Sequence, residues 1–172
     1  DRLNKSAVRM QIPIGLEEHH EGVIDLLKMK AYDFVGEKGM DVVEKEIPQE
    51  FVEEAKKYRH ELVEKIVEQD DTLMSQYLEG KEHPIDVLKM ALRKAVIANK
   101  IFPVFCGSAL KNKGVQLVLD AVVDYLPSPL DMPPVRAIEV KSDEPVVRHA
   151  SDEEPFSALV FKLQTDPFVG QL

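Results

Sequence analysis

The sequence predicts an α/β protein, and three observations lead to this fold class. Residues 101–106 form a continuous apolar run, typical of a strand covered on both faces, and a polar loop and an amphipathic helix follow it. Three helical segments precede this strand. Alternating apolar residues near both ends of the chain indicate further strands. The expected architecture is therefore a helix-covered sheet with additional strand-rich segments.

The composition restricts the class of protein. The 172 residues are 44% hydrophobic, which is enough for a core and argues against wholesale disorder. No apolar run reaches the roughly 18–20 residues of a membrane helix, and no leader pattern opens the chain, so we expect neither a membrane nor a secreted class. The single cysteine, Cys106, forms no intrachain disulfide and suits a reducing cytosol or matrix. The net charge of −9 disfavours wrapping of nucleic acid by this chain alone.

The N-terminal part of the chain predicts two paired strands. Residues 1–6 are interpreted as the frayed end of a preceding element. Residues 8–14 alternate apolar and polar side chains and predict a strand, and residues 22–34 predict a second strand that pairs with it. Gly36 and Gly39 then mark a turn.

Three helices are predicted next, over residues 48–69, 71–79 and 85–99. Pro48 fits a helix start, and the pattern after it has a period of 3.6 residues. The apolar side of the first helix consists of Phe51, Ala55, Tyr58, Leu62 and Ile66. The opposite side, which we call the glutamate stripe, consists of Glu50, Glu53, Glu54, Glu61, Glu64 and Glu68.

The apolar strand at 101–106 leads into the polar loop 107–114 and then a helix. The predicted core side of that helix consists of Val115, Leu119, Val122, Val123 and Leu126. Since ligands of open α/β sheets bind beyond the carboxyl ends of strands, this loop is the first place to look for chemistry.

The composition changes after Leu126, where four prolines fall within residues 127–134 and predict a stiff linker. Short strands are predicted at 135–140 and 146–149, and a better one at 156–164. These strands are too few for an independently stable sheet, and the first residue is Asp1 rather than Met, so we expect both ends of the chain to be truncations of a longer protein. Exposed sheet edges would then favour self-association.

Several familiar site motifs are absent. The sequence contains neither GxxxxGK[ST] nor GxGxxG. Asp33–Gly36 matches DxxG by letter but is interpreted as a turn. His19 and His20 lack a metal-ligand spacing and are interpreted as a solvated loop, so no metal site is expected. Cys106 ends an apolar strand and is interpreted as a packed thiol rather than a nucleophile.

The turn Gly107-Ser108-Ala109 is the exception. Small residues at the end of a buried strand let backbone N–H groups approach a flat ligand and read a carbonyl. The same three letters also suit an ordinary strand-to-helix turn, and both interpretations stay open on these residues alone.

The chain resembles the elongation factor G family of bacterial and organellar translational GTPases. The resemblance spans the whole chain and is most specific in FCGSALKNKGVQ at 105–116 and LDAVVDYLPSP at 119–129. Further matching runs are QIPIG at 11–15, GVIDL at 22–26 with MKA at 29–31, YLEG at 77–80, EPFSAL at 154–159 and TDPFVG at 165–170. The family drives tRNA–mRNA translocation on the ribosome and, with the ribosome recycling factor, helps to split ribosomes.

The resemblance implies a domain organisation. Residues 1–8 would end a preceding element of a P-loop-type GTPase domain, and 9–100 would be its α+β insertion subdomain. Residues 101–127 would supply its last strand, guanine-binding loop and helix. Residues 128–134 would be the linker, and 135–172 would begin a β-barrel second domain.

The resemblance also implies the site chemistry. Gly107, Ser108 and Ala109 match the guanine-binding loop, in which the amide at the alanine position contacts the guanine O6. The phosphate loop, switches, catalytic histidine and NKxD motif would precede Asp1. This chain is therefore expected to hold no catalytic residue, to hydrolyse no GTP by itself, and to bind GTP or GDP with Mg²⁺ tightly only within the intact protein.

The family's insertion subdomain contacts the C-terminal domain of the ribosomal stalk protein, and the residues predicted for this contact are Glu53, Glu61, Glu64 and Glu68. Residues 41–70 contain ten acidic and five basic residues, so they carry five of the nine net negative charges. Such a face would steer a lysine-rich partner, although charge is also ordinary on a solvated helix face. Contacts with rRNA would lie mainly outside this chain, and the expected location is the cytoplasm or the mitochondrial matrix.

Two alternatives to a translocation factor stay open. The chain could be a stand-alone acidic interaction module, or part of a related ribosome-protection or release-factor GTPase. The runs YLPSP at 125–129 and TDPF at 165–168 favour the elongation factor.

Overall fold

The computed structural model describes residues 6–162, 165–166 and 170–171, and within them it combines helices and strands. The predicted α/β class is confirmed. The chain divides into two units, residues 1–126 and 127–172, and the division falls at the start of the proline-rich segment. Residues 1–5, predicted to be the frayed end of an element, lie outside the described residues.

A four-stranded antiparallel sheet lies in the N-terminal part of the first unit. Its strands, in spatial as well as chain order, are β2 (Gln11–Ile14), β3 (Gly22–Asp25), β4 (Lys30–Val35) and β5 (Asp41–Lys45). The single strand predicted at 22–34 is therefore wrong, because β3 and β4 form a hairpin. Asp25 reverses the chain: its carboxylate accepts hydrogen bonds from the backbone N–H groups of Leu27 and Lys28, both at 2.8 Å.

The strand predicted at 8–14 is two strands in two sheets. Its first part, β1 (Ala7–Arg9), pairs in parallel with β6 (Phe102–Val104), whereas the second part is β2 of the antiparallel sheet. Met10 joins them, since its N–H donates to the Val104 carbonyl at 2.9 Å and its carbonyl accepts from the Leu26 N–H at 3.0 Å. The exposed edge strand β5 was not predicted.

The predicted helices are confirmed, with ends that differ by a few residues. They are α1 (Val52–Val67), α2 (Asp71–Leu78), α3 (Ile85–Ile97) and α4 (Val115–Tyr125). A 3-10 turn at Gln49–Phe51 precedes α1. The Asp70 carboxylate caps α2 by accepting from the N–H groups of Thr72 at 3.0 Å and Leu73 at 3.2 Å.

The core of the first unit lies where α1 and α3 meet the sheets. Its fully buried large side chains include Ile24, Leu26, Leu27, Leu62, Ile66, Leu88, Leu92 and Ile101. At one edge, the Arg9 guanidinium lies 3.7 Å from the centre of the Tyr58 ring and joins β1 to α1. These contacts anchor the parallel pair β1–β6, and β6 leads to the polar loop at 107–114.

Two burial predictions near the C-terminal end of this unit are wrong. Strand β6 is not covered on both faces, because Phe102 is 41% exposed and Val104 is 49% exposed. Helix α4 buries Ala121 and Tyr125, whereas Leu119, Val122, Val123 and Leu126 of its predicted core side are exposed and Val115 is half-buried. The physical reason is that β6 pairs only with β1 in the described part of the chain.

The second unit contains a hairpin, β7 (Val135–Ile138) and β8 (Pro145–Arg148), near the predicted positions. Ser128 and Asp131 close a 3-10 turn before it. The strand predicted at 156–164 is wrong over its described part, 156–162, where no strand partner is present and Phe156 is 95% exposed; its last two residues lie outside the described residues. Strands β9 (Thr165–Asp166) and β10 (Gly170–Gln171) pair antiparallel.

Candidate functional site

The loop between β6 and α4 is closed by its own backbone. The Ser108 N–H donates to the Lys113 carbonyl at 2.8 Å, and the Lys113 N–H returns a bond to the Ser108 carbonyl at 3.0 Å. Inside it, the Asn112 N–H donates to the Ala109 carbonyl at 3.1 Å and the Lys111 N–H to the Ser108 hydroxyl at 3.3 Å. We call residues 108–113 the closed loop.

The glycine at position 107 is required by this closure. A Cβ there would lie 2.5 Å from the Lys113 carbonyl oxygen, too close for any side chain. At the other end, Gly114 has a φ of +86° and a Cβ there would lie 2.8 Å from the Cys106 carbonyl oxygen. The expectation that Gly107 leaves room for a ligand is therefore wrong, because the Lys113 carbonyl of the chain itself occupies the place of the missing Cβ.

Ala109 differs from Ser108 in having an available donor. The Ser108 N–H, carbonyl and hydroxyl are all used within the closed loop. The Ala109 N–H has no hydrogen-bond partner among the described residues, and Ala109 is exposed. Gly107 is also exposed, and its N–H likewise has no hydrogen-bond partner in the described part of the chain, so the amides of Gly107 and Ala109 are both available to a ligand.

Residues after Ala109 fasten the closed loop to two turns of the antiparallel sheet, which the sequence argument missed. The Lys111 and Lys113 ammonium groups each donate at 2.8 Å, to the carbonyls of Glu18 and His20 respectively. The side-chain amide of Asn112 donates to the Lys38 carbonyl at 3.1 Å, and that of Gln116 donates to the Gly39 carbonyl at 3.0 Å. No local sequence pattern predicts these hydrogen bonds, because donor and acceptor are at least 74 positions apart in the chain.

Cys106, immediately before the loop, is half-buried. Burial raises the pKa of its thiol to about 11, so the nucleophilic thiolate is scarce at neutral pH. This environment fits a packed thiol.

The remaining motif candidates take up structural positions. Asp33 forms an ion pair with Lys45, and Gly36 occupies a turn with a φ of +76°. His19 is exposed beside Glu18, but the interpretation of His20 as part of a solvated loop is wrong, because His20 is buried and its Nε2 has no partner among the described residues. Within the described ranges, no three His, Cys, Asp or Glu side chains converge as metal ligands. No described helix is long and apolar enough to cross a membrane.

The glutamate stripe lies on one face of α1 and in the turn before it, opposite the buried Ala55, Leu62 and Ile66. Three of the four residues predicted to bind a partner have a neighbouring basic side chain. Glu53 pairs with Lys56 and Glu68 with Lys65, both at 2.8 Å, and Glu64 lies 3.5 Å from His60. Glu61 is exposed and has no ion pair in the described part of the chain. No described hydrogen bond or ion pair links this stripe to the closed loop.

No family model matches the chain. Among solved structures it is similar to the crystal structure of a protein from Thermus thermophilus, with 30% sequence identity and a TM-score of 0.72. The similarity covers 96% of this chain and 22% of that protein. The chain therefore spans between a fifth and a quarter of the length of a longer protein whose fold it shares over this part.

Proposed function

We propose that the chain is part of a ribosomal translocation factor of the elongation factor G family, which uses GTP hydrolysis to drive tRNA–mRNA translocation. The chain contributes part of the guanine pocket and a surface that binds the ribosomal stalk. In this proposal residues 101–127 belong to a P-loop-type GTPase domain, 9–100 to its insertion subdomain and 135–172 to a β-barrel domain.

The observation that carries the proposal is the free amide of Ala109. It lies in a loop that follows a parallel strand and precedes a helix, the place where open α/β sheets bind ligands. A backbone N–H is a donor only, so it selects an acceptor such as the O6 of guanine and disfavours the amino group that adenine has there. The residues present thus fit a guanine base.

Two further observations support a chain that belongs to a larger domain. Helix α4 exposes a row of apolar side chains, with Leu119 61% and Val123 79% exposed. A single parallel pair such as β1–β6 is uncommon without further strands and covering helices. Additional sheet of a GTPase domain would cover both features. The length relation to the Thermus thermophilus protein agrees with this.

The remaining parts of the activity would lie outside this chain. GTP or GDP would bind with Mg²⁺ through a phosphate loop supplied elsewhere, and the catalytic groups would be supplied there as well, so this chain alone is inactive. The intact factor would work in the cytoplasm or the mitochondrial matrix, with the ribosome and the ribosome recycling factor as partners. Its rRNA contacts would lie mainly in other parts.

The glutamate stripe supports the second role, recruitment by the C-terminal domain of the stalk protein. A predominantly acidic face attracts a lysine-rich domain over several ångströms and raises the association rate. The ion pairs of Glu53 and Glu68 and the contact of Glu64 with His60 are exposed and local, so they are individually weak and can yield to a partner.

The guanine pocket is tested by GDP affinity in the intact protein that contains this chain. Ala109→Pro removes the N–H donor, and Ala109→Leu adds bulk beside it. We expect each to weaken GDP binding at least about tenfold, the scale of a desolvated hydrogen bond. Leu110→Ala is the matched control, because Leu110 is 98% exposed in the same loop. Unchanged affinity in both Ala109 variants would exclude this pocket, and no GDP binding by the unaltered protein would favour the stand-alone acidic module.

A further inference from the structure

Two turns of the antiparallel sheet meet the segment that follows Ala109. The turn between β2 and β3 (residues 15–21) and the turn between β4 and β5 (residues 36–40) lie at the same end of the sheet, because the strands alternate in direction. Both accept hydrogen bonds from side chains of residues 111–116, as described above. We call this set of contacts the turn clamp.

The turn clamp has a directional chemistry. In all four contacts the donor belongs to 111–116 and the acceptor is a backbone carbonyl of a turn. Two of the donors are ammonium groups, and charge-assisted hydrogen bonds are stronger than neutral ones. The carbonyls cannot move without moving the turns, so the position of the closed loop depends on the conformation of the sheet's end.

Gly39 brings the two backbones into direct contact. Its φ is +65°, and a Cβ there would lie 3.0 Å from the Lys111 carbonyl oxygen and 3.1 Å from that of Asn112. Any side chain at this position would push against the closed loop. Gly39 therefore packs on the loop and also accepts the bond from Gln116.

The side chain of Gln116 is unfavourable for packing alone. It is half-buried, and its Oε1 is buried without a hydrogen-bond partner among the described residues. A buried unsatisfied acceptor destabilises the folded state, and an apolar side chain of similar size would avoid it. The one described bond of this side chain is the donation to Gly39, which assigns Gln116 the role of holding the start of α4 to the turn.

We propose that Gln116, acting through Gly39, is a positioning residue that sets where the Ala109 N–H points. Holding the start of α4 fixes Lys113, which closes the loop onto Ser108 next to Ala109. The inference rests on the proposed function, because it concerns recognition of the guanine O6. It adds that the antiparallel sheet β2–β5 and the base site are coupled, so a partner that favours one conformation of the sheet's end also changes the affinity for the base.

The test compares two nucleotides in the intact protein that contains this chain: GDP, and the diphosphate of 2-aminopurine riboside, which lacks O6. Gln116→Ala should weaken GDP binding about three- to tenfold. It should change the affinity for the analogue less than about twofold, because the analogue has no O6 to accept a hydrogen bond from the Ala109 N–H. Gln69→Ala is the matched control, since Gln69 also bonds a backbone carbonyl but one that lies four residues before it in the chain. An equal loss for both nucleotides would reduce Gln116 to a structural role and overturn the inference.

A second measurement needs no nucleotide. In the 172-residue chain, Gly39→Ala should raise hydrogen exchange of the Ser108 and Lys113 amides about tenfold, whereas Gly80→Ala should leave it unchanged. Gly80 is the matched control because its φ is +79° but no atom lies within 4 Å of its Cβ position. Unchanged exchange in Gly39→Ala would overturn the clamp. If the unaltered protein binds GDP and Gln116→Ala still prefers GDP over the 2-aminopurine analogue to the same extent, only this inference is overturned. If the unaltered protein does not bind GDP, the proposed function is overturned.

Discussion

At the scale of single residues, Gly107, Ser108 and Ala109 differ in what they contribute to the closed loop. Gly107 is glycine because the Lys113 carbonyl occupies the place of its Cβ. Ser108 uses both backbone groups and its hydroxyl inside the loop. Ala109 keeps its N–H exposed and without a partner in the described part of the chain. In this three-residue motif, Gly107 and Ser108 are needed to close the loop, and Ala109 is the position where we propose that the base binds.

The thiol of Cys106 gives a prediction at this scale. Because burial raises its pKa from 9.0 to about 11, its thiolate fraction at pH 8 is about a hundredfold below that of the unfolded chain. Alkylation by iodoacetamide at pH 8 should be slower in the folded chain by roughly that factor. The thiol of the unfolded chain loses its proton at a lower pH than the buried thiol does. The free energy of unfolding should therefore fall as the pH rises from 9 to 11.

The rate is measured by mass spectrometry against the same chain in urea, which serves as the control because it holds no other cysteine. Equal rates in the folded and the unfolded chain would show that the thiol is neither buried nor raised in pKa.

At the scale of elements, α1 performs two tasks on two faces. One face is buried through Ala55, Leu62 and Ile66 and packs into the core of the first unit, and the other carries the glutamate stripe. The local pairs with Lys56, His60 and Lys65 contribute little to stability because they are exposed. The acidic face can therefore be changed without unfolding the helix, which makes it open to experiment.

Charge reversal tests this face. Glu53→Lys, Glu61→Lys, Glu64→Lys and Glu68→Lys together should lower the association rate with the basic C-terminal domain of a stalk protein at least about tenfold at low salt. The deficit should shrink as the ionic strength rises, because salt screens exposed charges.

The control variant carries the same change of net charge in the second unit, at Glu139, Glu144, Asp152 and Glu153, all of which are exposed. Stopped-flow measurements would detect the rates. A stripe variant that associates as fast as the control at low salt would show that the stripe is only a solvated helix face.

At the scale of the whole molecule, the two units differ in how much core they hold. The first unit contains the extended hydrophobic cluster, whereas the second has a short hairpin and strongly exposed apolar residues such as Val140, Phe156 and Phe161. The first unit also leaves the outer face of α4 and parts of β6 bare. Such surfaces are characteristic of chains that are covered by further protein.

We therefore expect the 172-residue chain, produced alone, to self-associate. Leu119→Glu with Val123→Glu should shift sedimentation toward the monomer, because both side chains are exposed on the apolar face of α4. Val140→Glu with Leu159→Glu is the matched control, with two strongly exposed apolar residues of the second unit. A strict monomer before any substitution would contradict the expectation, and an equal effect of the control pair would place the contact elsewhere.

The sequence by itself determined the helices, the turn at Gly107–Ala109 and the acidic side of α1. Helical period and proline at a helix start are local signals, because they depend on interactions between residues a few positions apart and so have the same effect in most folds. The closed loop follows a strand that could also be identified locally, as a short apolar run. Its three motif residues were therefore predictable.

Only the tertiary structure decided which strands pair and what holds the closed loop. Alternation over residues 8–14 is uninterrupted, yet Met10 passes the chain from a parallel pair to an antiparallel sheet, because the partners of each half lie in distant segments. In the same way Gln116 and Gly39 meet across 77 positions, and their bond follows from sheet pairing rather than from any nearby pattern. Local chemistry specifies elements, whereas contacts between distant segments specify the sheet order and the placement of the site.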